Sequence, residues 1–322
     1  MTSIDFNKLP KFSELPVKTG APADSNWGVF GDDDELGCVN FLSEEGVVEA
    51  TRLVRRGRVF RLDMPIAYAN PPLFQRPRAR HTIMKFPGYI GHDDKLDDYN
   101  TQEGTQWDCF GHQGHTESDS FYNGVKIEEI KSGPGGKLGI HLWANKMVGR
   151  GVLLNAFKYR NDQGRPLNPG APEWYTLEDL EATVDAQRVA LKPGDILMVR
   201  TGWLQHYLSS SEEEKKAMGD WRSLRACGID STREVVAWLW DNRVAALATD
   251  CPAAETWPWN MERGPLHERT LPLLGLPLGE QFNFEDLAAD SAEDGVYESM
   301  VVSVPLYLEG GIASPPNAVA IK

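Results

Sequence analysis

In the second half of the chain, capped amphipathic helices alternate with short apolar runs, and this alternation constrains the fold more than any other feature. Thr176 followed by Asp179 reads as the capping-box start of a helix. Residues 196–200 (Ile-Leu-Met-Val-Arg), launched by the turn residues Pro193, Gly194 and Asp195, read as a buried strand. Residues 231–234 (Ser-Thr-Arg-Glu) give a second capping box, and Val235, Val236, Trp238 and Leu239 supply a buried side to the helix behind it. The run 244–250 then predicts another strand, as does Val152–Asn155 earlier. The first half and the C-terminus are richer in strand, so the pattern predicts a mixed α/β chain.

Nearer the N-terminus, Ser43 as N-cap, acids at 44 and 45, arginines at 52, 55 and 56 and a glycine at 57 predict a helix over 44–56. Residues 59–64 read as a strand, and 67–100 as a long proline-rich, charged connection of the kind that often carries function. Prolines at 10, 16 and 22 make 1–26 an extended arm over the body or a partner subunit, so a homo-oligomer is expected. Residues 27–322 show no repeat, low-complexity tract or linker and read as one domain.

Several partner classes are excluded by charge and pattern. A formal charge of −14 and a pI near 5.0 oppose nucleic-acid binding, which needs a concentrated basic surface. Arg76, Arg78 and Arg80 are the main basic cluster and read as a solvated loop. Four cysteines without C-x-x-C spacing fit a reduced cytoplasmic chain, and neither a signal sequence nor a run of roughly 20 apolar residues is seen. A small molecule is the expected partner.

Chemistry concentrates in residues 102–112, Gln-Glu-Gly-Thr-Gln-Trp-Asp-Cys-Phe-Gly-His. Asp108 and His112 share one side if the backbone is helical, and Gly104 permits a turn with positive φ. A carboxylate beside an imidazole can bind a divalent cation or move a proton. Gln102 and Gln106 would add amide oxygens. Cys109 raises the alternative of a thiolate nucleophile with His112 as base. The glycine-rich stretch 132–138 departs from a phosphate loop, since Leu138 stands where Ser or Thr is required. Trp27, Trp107, Phe110, Trp257 and Trp259 could wall a flat substrate, with Trp107 and Phe110 adjacent to the chemistry.

The segment resembles the signature H-x-G-T-H-x-D-x-P-x-H of the cyclase or kynurenine formamidase-like metal-dependent hydrolases, which include bacterial arylformamidase and isatin hydrolase. Gly104, Thr105, Asp108 and His112 match, while Gln102, Gln106 and Phe110 replace the two leading histidines and the proline. The opening Trp27-Gly28, Asp34 to Gly37 and Asn40, the segments Leu266-His267 and Gly279 to Phe284, and the closing Pro305-Leu306, Gly310-Gly311 and Ser314 to Ala318 also resemble the family. The resemblance implies a single-domain swivelling β/β/α fold.

It also implies a metal-dependent hydrolase of a small cyclic or aryl amide, lactam or lactone. Asp108, His267 and Glu280 would hold the cation, Gln106 could add an oxygen, and His112 would serve as acid/base. Mn²⁺ or Zn²⁺ is expected, with amide oxygen favouring the harder ions Mn²⁺ and Mg²⁺. Two alternatives stand beside this reading. One is a metal-independent dehydratase or cyclase using Asp108, His112 and Glu280; the other is a catalytically silent binding protein.

Overall fold

A computed structural model describes residues 4–322. Among them the strands are β1 (Val59–Arg61), β2 (Arg80–Lys85), β3 (His92–Asp97), β4 (Gln106–Asp108), β5 (Val148–Leu154), β6 (Trp174–Tyr175), β7 (Ile196–Val199), β8 (Gly228–Ile229), β9 (Ala246–Thr249), β10 (Leu278–Glu280), β11 (Glu298–Ser303), β12 (Ala313–Ser314) and β13 (Ala318–Ile321). Nine form one sheet in the order β1-β13-β11-β5-β7-β9-β10-β4-β12. Its centre, β5-β7-β9-β10, is parallel and its flanks are antiparallel. Both β7 and β9 are buried at every residue, as parallel strands covered on both faces must be, which is why they read as continuous apolar runs. The chain is a mixed α/β fold, as expected.

The helices that cover this sheet start largely where the sequence places them. Thr176 and Asp179 form a reciprocal capping box at the head of Leu177–Gln187, which packs on β5 and on the helix Arg233–Asp241. The second capping box is a correction: Thr232 is the N-cap and makes no side-chain cap, while Ser231 Oγ instead donates to Gly264 O at 2.7 Å. The hydroxyl is used to hold a loop against the helix start.

The helix expected over 44–56 stops at Thr51, although Ser43 Oγ caps Gly46 N as expected. Tertiary pairing overrides the local pattern here, since the backbone N–H groups of Arg56 and Arg58 both donate to Lys322 O beside the β1–β13 ladder. The connection 67–100 contains the hairpin β2–β3, paired from Arg80↔Asp97 to Lys85↔His92. Nearly every residue of this hairpin is exposed, so it has no core face and leaves no alternating apolar signal.

Residues 1–3 of the N-terminal arm lie outside the described residues, and the rest of it runs along the body in short turns. Phe12 is buried and its N–H donates to Asp241 Oδ1 at 2.8 Å, while Trp240 Nε1 donates to Pro10 O at 3.0 Å. Among the described residues, no helix is long and apolar enough to cross a membrane.

Candidate active site

Strand alternation sets the site. Gln106 lies opposite Glu280 and Asp108 opposite Leu278 in the β4–β10 ladder, so the side chains of Gln106, Asp108 and Glu280 share one face. Trp107 takes the other face, where its indole Nε1 donates to Ser303 Oγ at 3.0 Å and its ring meets Phe282 at 4.9 Å. His112 joins the acids through the turn that follows β4, closed by His112 N donating to Cys109 O at 2.9 Å. A strand end and a turn bring Asp108 and His112 together, not the helical spacing considered from sequence. Gly104 likewise does not use a positive φ; a Cβ there would touch the Tyr68 ring at 3.6 Å.

The fourth member, His267, stands at the head of the helix Leu266–Leu274 and is buried, not on a surface loop. Buried Glu255 fixes it there. Its carboxylate accepts from Leu266 N and from His267 N, satisfying free donors at the helix start, and lies 2.7 Å from His267 Nδ1. A proton on Nδ1 shared with Glu255 leaves Nε2 aimed at the acids, 3.2 Å from Glu280 Oε1 and 3.8 Å from Asp108 Oδ2. His112 Nε2 lies 3.9 Å from the same Asp108 oxygen.

Two glutamines and an arginine cover the other side of the acid pair. Gln102 Nε2 donates to Asp108 Oδ1 at 2.7 Å. Gln106 Nε2 lies 3.2 Å from each Asp108 oxygen and 2.9 Å from Glu280 Oε2, while its Oε1 accepts from Arg76 at 3.2 Å. The expectation that Gln106 offers an oxygen to a metal is therefore corrected: its oxygen faces the guanidinium, because facing two carboxylates would set acceptor against acceptor. Arg76 also donates to Gln102 O and lies over the Phe74 ring at 5.1 Å. Of the three arginines read as a solvated loop, Arg78 and Arg80 do bond at the surface, to Asn70 and Asp98, and Arg76 does not. Glu103 holds the loop that carries Arg76 by accepting from Ala67 N at 3.1 Å and Ala79 N at 2.9 Å.

These neighbours split the acidities of the cluster. Burial would raise the Asp108 carboxyl, but His112, His267 and Arg76 outweigh it and hold the group below its ordinary value. Burial and then the charge of Asp108 push Glu280 up to about 7 against His267 and Arg76. Burial, aided by His267 and Arg76, draws His112 down despite Asp108, so its imidazole is neutral at neutral pH. Burial opposes charge on His267 too, yet the carboxylates of Asp108, Glu255 and Glu280 raise it well above its ordinary value.

The donors fit a divalent cation. One oxygen of Asp108 and one nitrogen each of His112 and His267 lie within 4.8 Å of one another, and Glu280 adds a second carboxylate beside His267. Two carboxylates and an imidazole whose far nitrogen is held by a third carboxylate form a usual donor arrangement for such ions. Asp108, His112, His267 and Glu280 are the residues whose donors could hold one.

Both aromatics expected to wall the substrate are corrected to core. Trp107 and Phe110 are 0% exposed, and Phe110 packs between Tyr122 and Trp143 with ring centroids at 5.2 and 5.1 Å. We expect Phe110→Leu to lower stability by about 1–2 kcal/mol with the KM unchanged. Urea unfolding beside a substrate titration checks this; a raised KM at full stability would return Phe110 to the substrate. Cys109 is also fully buried, its Sγ donating to Leu138 O at 2.9 Å, and burial pushes its thiol far up, so it offers no thiolate. Trp27 is spent on Pro272 O, whereas Phe74, Trp257 and Trp259 form a half-buried aromatic row next to Arg76.

A mixed α/β sheet whose strands β4 and β10 bring two buried carboxylates to an imidazole from the turn after β4 and another from a helix start defines the class of the protein. The chain belongs to the cyclase family: the family described as “Putative cyclase” matches residues 60–256, more than half of the chain. A crystal structure described as a novel cyclase is 32% identical over 92% of this chain and 99% of its own, with a TM-score of 0.82. Isatin hydrolase A from Labrenzia aggregata, bound to benzyl benzoate, is 15% identical over 82% of this chain and 93% of its own, with a TM-score of 0.55. A predicted metal-dependent hydrolase from Bacillus stearothermophilus is 16% identical over 83% of this chain and 98% of its own, with a TM-score of 0.50. The last two likenesses concern the fold alone. No curated protein matches.

Proposed function

We propose that this protein is an enzyme that hydrolyses a small cyclic or aryl amide, lactam or lactone, with a divalent cation, Mn²⁺ or Zn²⁺, held by Asp108, His267 and Glu280. The observation that carries the reading is the convergence of these three side chains with His112 at one strand end. Structures with this fold described as isatin hydrolases and metal-dependent hydrolases support it. When bound, a divalent cation polarises a carbonyl and makes water acidic enough to ionise near neutral pH.

The chain's own residues supply the rest. Water adds its oxygen to the carbonyl carbon and the C–N or C–O bond breaks. His112 gives a proton to the departing atom and is restored by the proton that water loses. His112 is 26% exposed at its side chain, so it can reach both substrate and solvent, whereas the acids are sealed. Glu255 keeps His267 oriented, and Arg76 with the two glutamines balances the buried negative charge from behind.

A metal-free dehydratase or cyclase is the second reading, favoured by Glu280 being pushed up to about 7, where a carboxyl can both give and take a proton near neutral pH. Elemental analysis of protein purified without added metal, followed by chelation and return of Mn²⁺ or Zn²⁺, separates the two. We expect ring opening in an amide, lactam and lactone panel to vanish on chelation and return with the ion. Dehydration that survives chelation would move the assignment to the second reading, and ligand binding without any turnover to a silent binding protein.

A further inference from the structure

The amide of Gln102 makes a second contact besides the one to Asp108. Its Nε2 lies 3.2 Å from His112 Nδ1. The orientation of this amide is settled independently of the histidine, because the same nitrogen lies 2.7 Å from Asp108 Oδ1, and a carboxylate oxygen there accepts only. Turning the amide over would set two oxygens at that distance. One hydrogen of the NH₂ group therefore goes to Asp108, and the other points to the imidazole.

A ring nitrogen that faces an N–H donor must present its lone pair. We infer that Gln102 is a positioning residue that fixes His112 with Nδ1 bare and the proton on Nε2, so that His112 enters the site as a proton donor and not as a metal ligand. The two roles compete for one atom: Nε2 is the nitrogen directed at Asp108 Oδ2 across 3.9 Å, and a nitrogen carrying a proton has no lone pair for a cation. His267 is the opposite case. Its Nδ1 faces the Glu255 carboxylate, so Nδ1 carries a proton, and Nε2 is the nitrogen turned to the acids. The partner on the far nitrogen thus differs between the two histidines, an amide donor for His112 and a carboxylate acceptor for His267.

Gln102 can do this because its backbone is tied down. Its N–H donates to Asn100 Oδ1 at 2.8 Å and its carbonyl accepts from Arg76. The catalytic meaning of the inference rests on the hydrolase reading, but the proton's position does not.

The test is ¹⁵N NMR of the imidazole nitrogens in the full chain, with His112 assigned by its loss in His112→Ala, recorded without metal and again with Zn²⁺. We expect a pyrrole-type Nε2 and a pyridine-type Nδ1 in both states. In Gln102→Glu, whose carboxylate accepts, the proton should move to Nδ1, and kcat should fall at least tenfold with KM little changed. A wild-type spectrum with the proton on Nδ1, or loss of the Nε2 proton when Zn²⁺ is added, would overturn the inference without reference to any variant. The expected tautomer in a protein that hydrolyses nothing would overturn the hydrolase reading and leave the role of Gln102 in setting the proton intact.

Discussion

His112→Ala should lower turnover by roughly 10²–10⁴-fold, the usual contribution of a placed proton-transfer group. His112 is the partly exposed member of the cluster, and burial with the positive charges of His267 and Arg76 keeps it neutral where a proton must be given and regained. Its removal leaves the β4–β10 ladder and the His267–Glu255 contact untouched, so the variant should fold. Circular dichroism and steady-state kinetics on the panel substrate check this. Wild-type turnover in a folded variant would remove His112 from the reaction.

Asp108→Asn should be nearly as damaging, through a different quantity. The carboxylate accepts from Gln102 and Gln106 on one side and faces both histidines on the other. An amide cannot satisfy both sides: its oxygen can meet the glutamine N–H groups only by turning its NH₂ toward the imidazoles, and the anionic ligand is lost either way. Disturbing a partner of a metal ligand costs roughly 10–100-fold in metal affinity, and loss of the ligand's charge should cost more. Equilibrium dialysis with Mn²⁺ and Zn²⁺ measures it directly. Unchanged affinity would place the cation, and with it the proposed chemistry, elsewhere.

Part of this site was legible in the sequence because spacing along a strand survives folding. Gln106, Trp107 and Asp108 alternate faces whatever packs around them, so a motif within one strand already fixes which side chains can meet. His267 and Glu280 were reachable only through family resemblance, since nothing local distinguishes a buried helix-start histidine from the charged loop suggested by its neighbours Arg263, Glu268 and Arg269. Glu255 and Arg76 left no usable signal. Glu255 is 2% exposed and does its work on a helix that begins eleven positions later; Arg76 lies among arginines that do face solvent.

The sequence by itself determined the periodicities: capped helices, wholly apolar central strands and the order in which acid, imidazole and amide occur. Those are local properties, set by backbone geometry and by the need to bury apolar faces. What each polar side chain does was decided by tertiary structure, because a donor or acceptor is defined by what lies opposite it. Gln106 turns its nitrogen to two acids because Arg76 claims its oxygen, Trp107 becomes core because the far face of β4 is covered, and Phe110 becomes core because Tyr122 and Trp143 enclose it. The far nitrogens of His112 and His267 meet an amide donor and a carboxylate acceptor respectively, supplied from segments distant in the chain or beyond one strand. No pattern of residue types along the sequence encodes that difference.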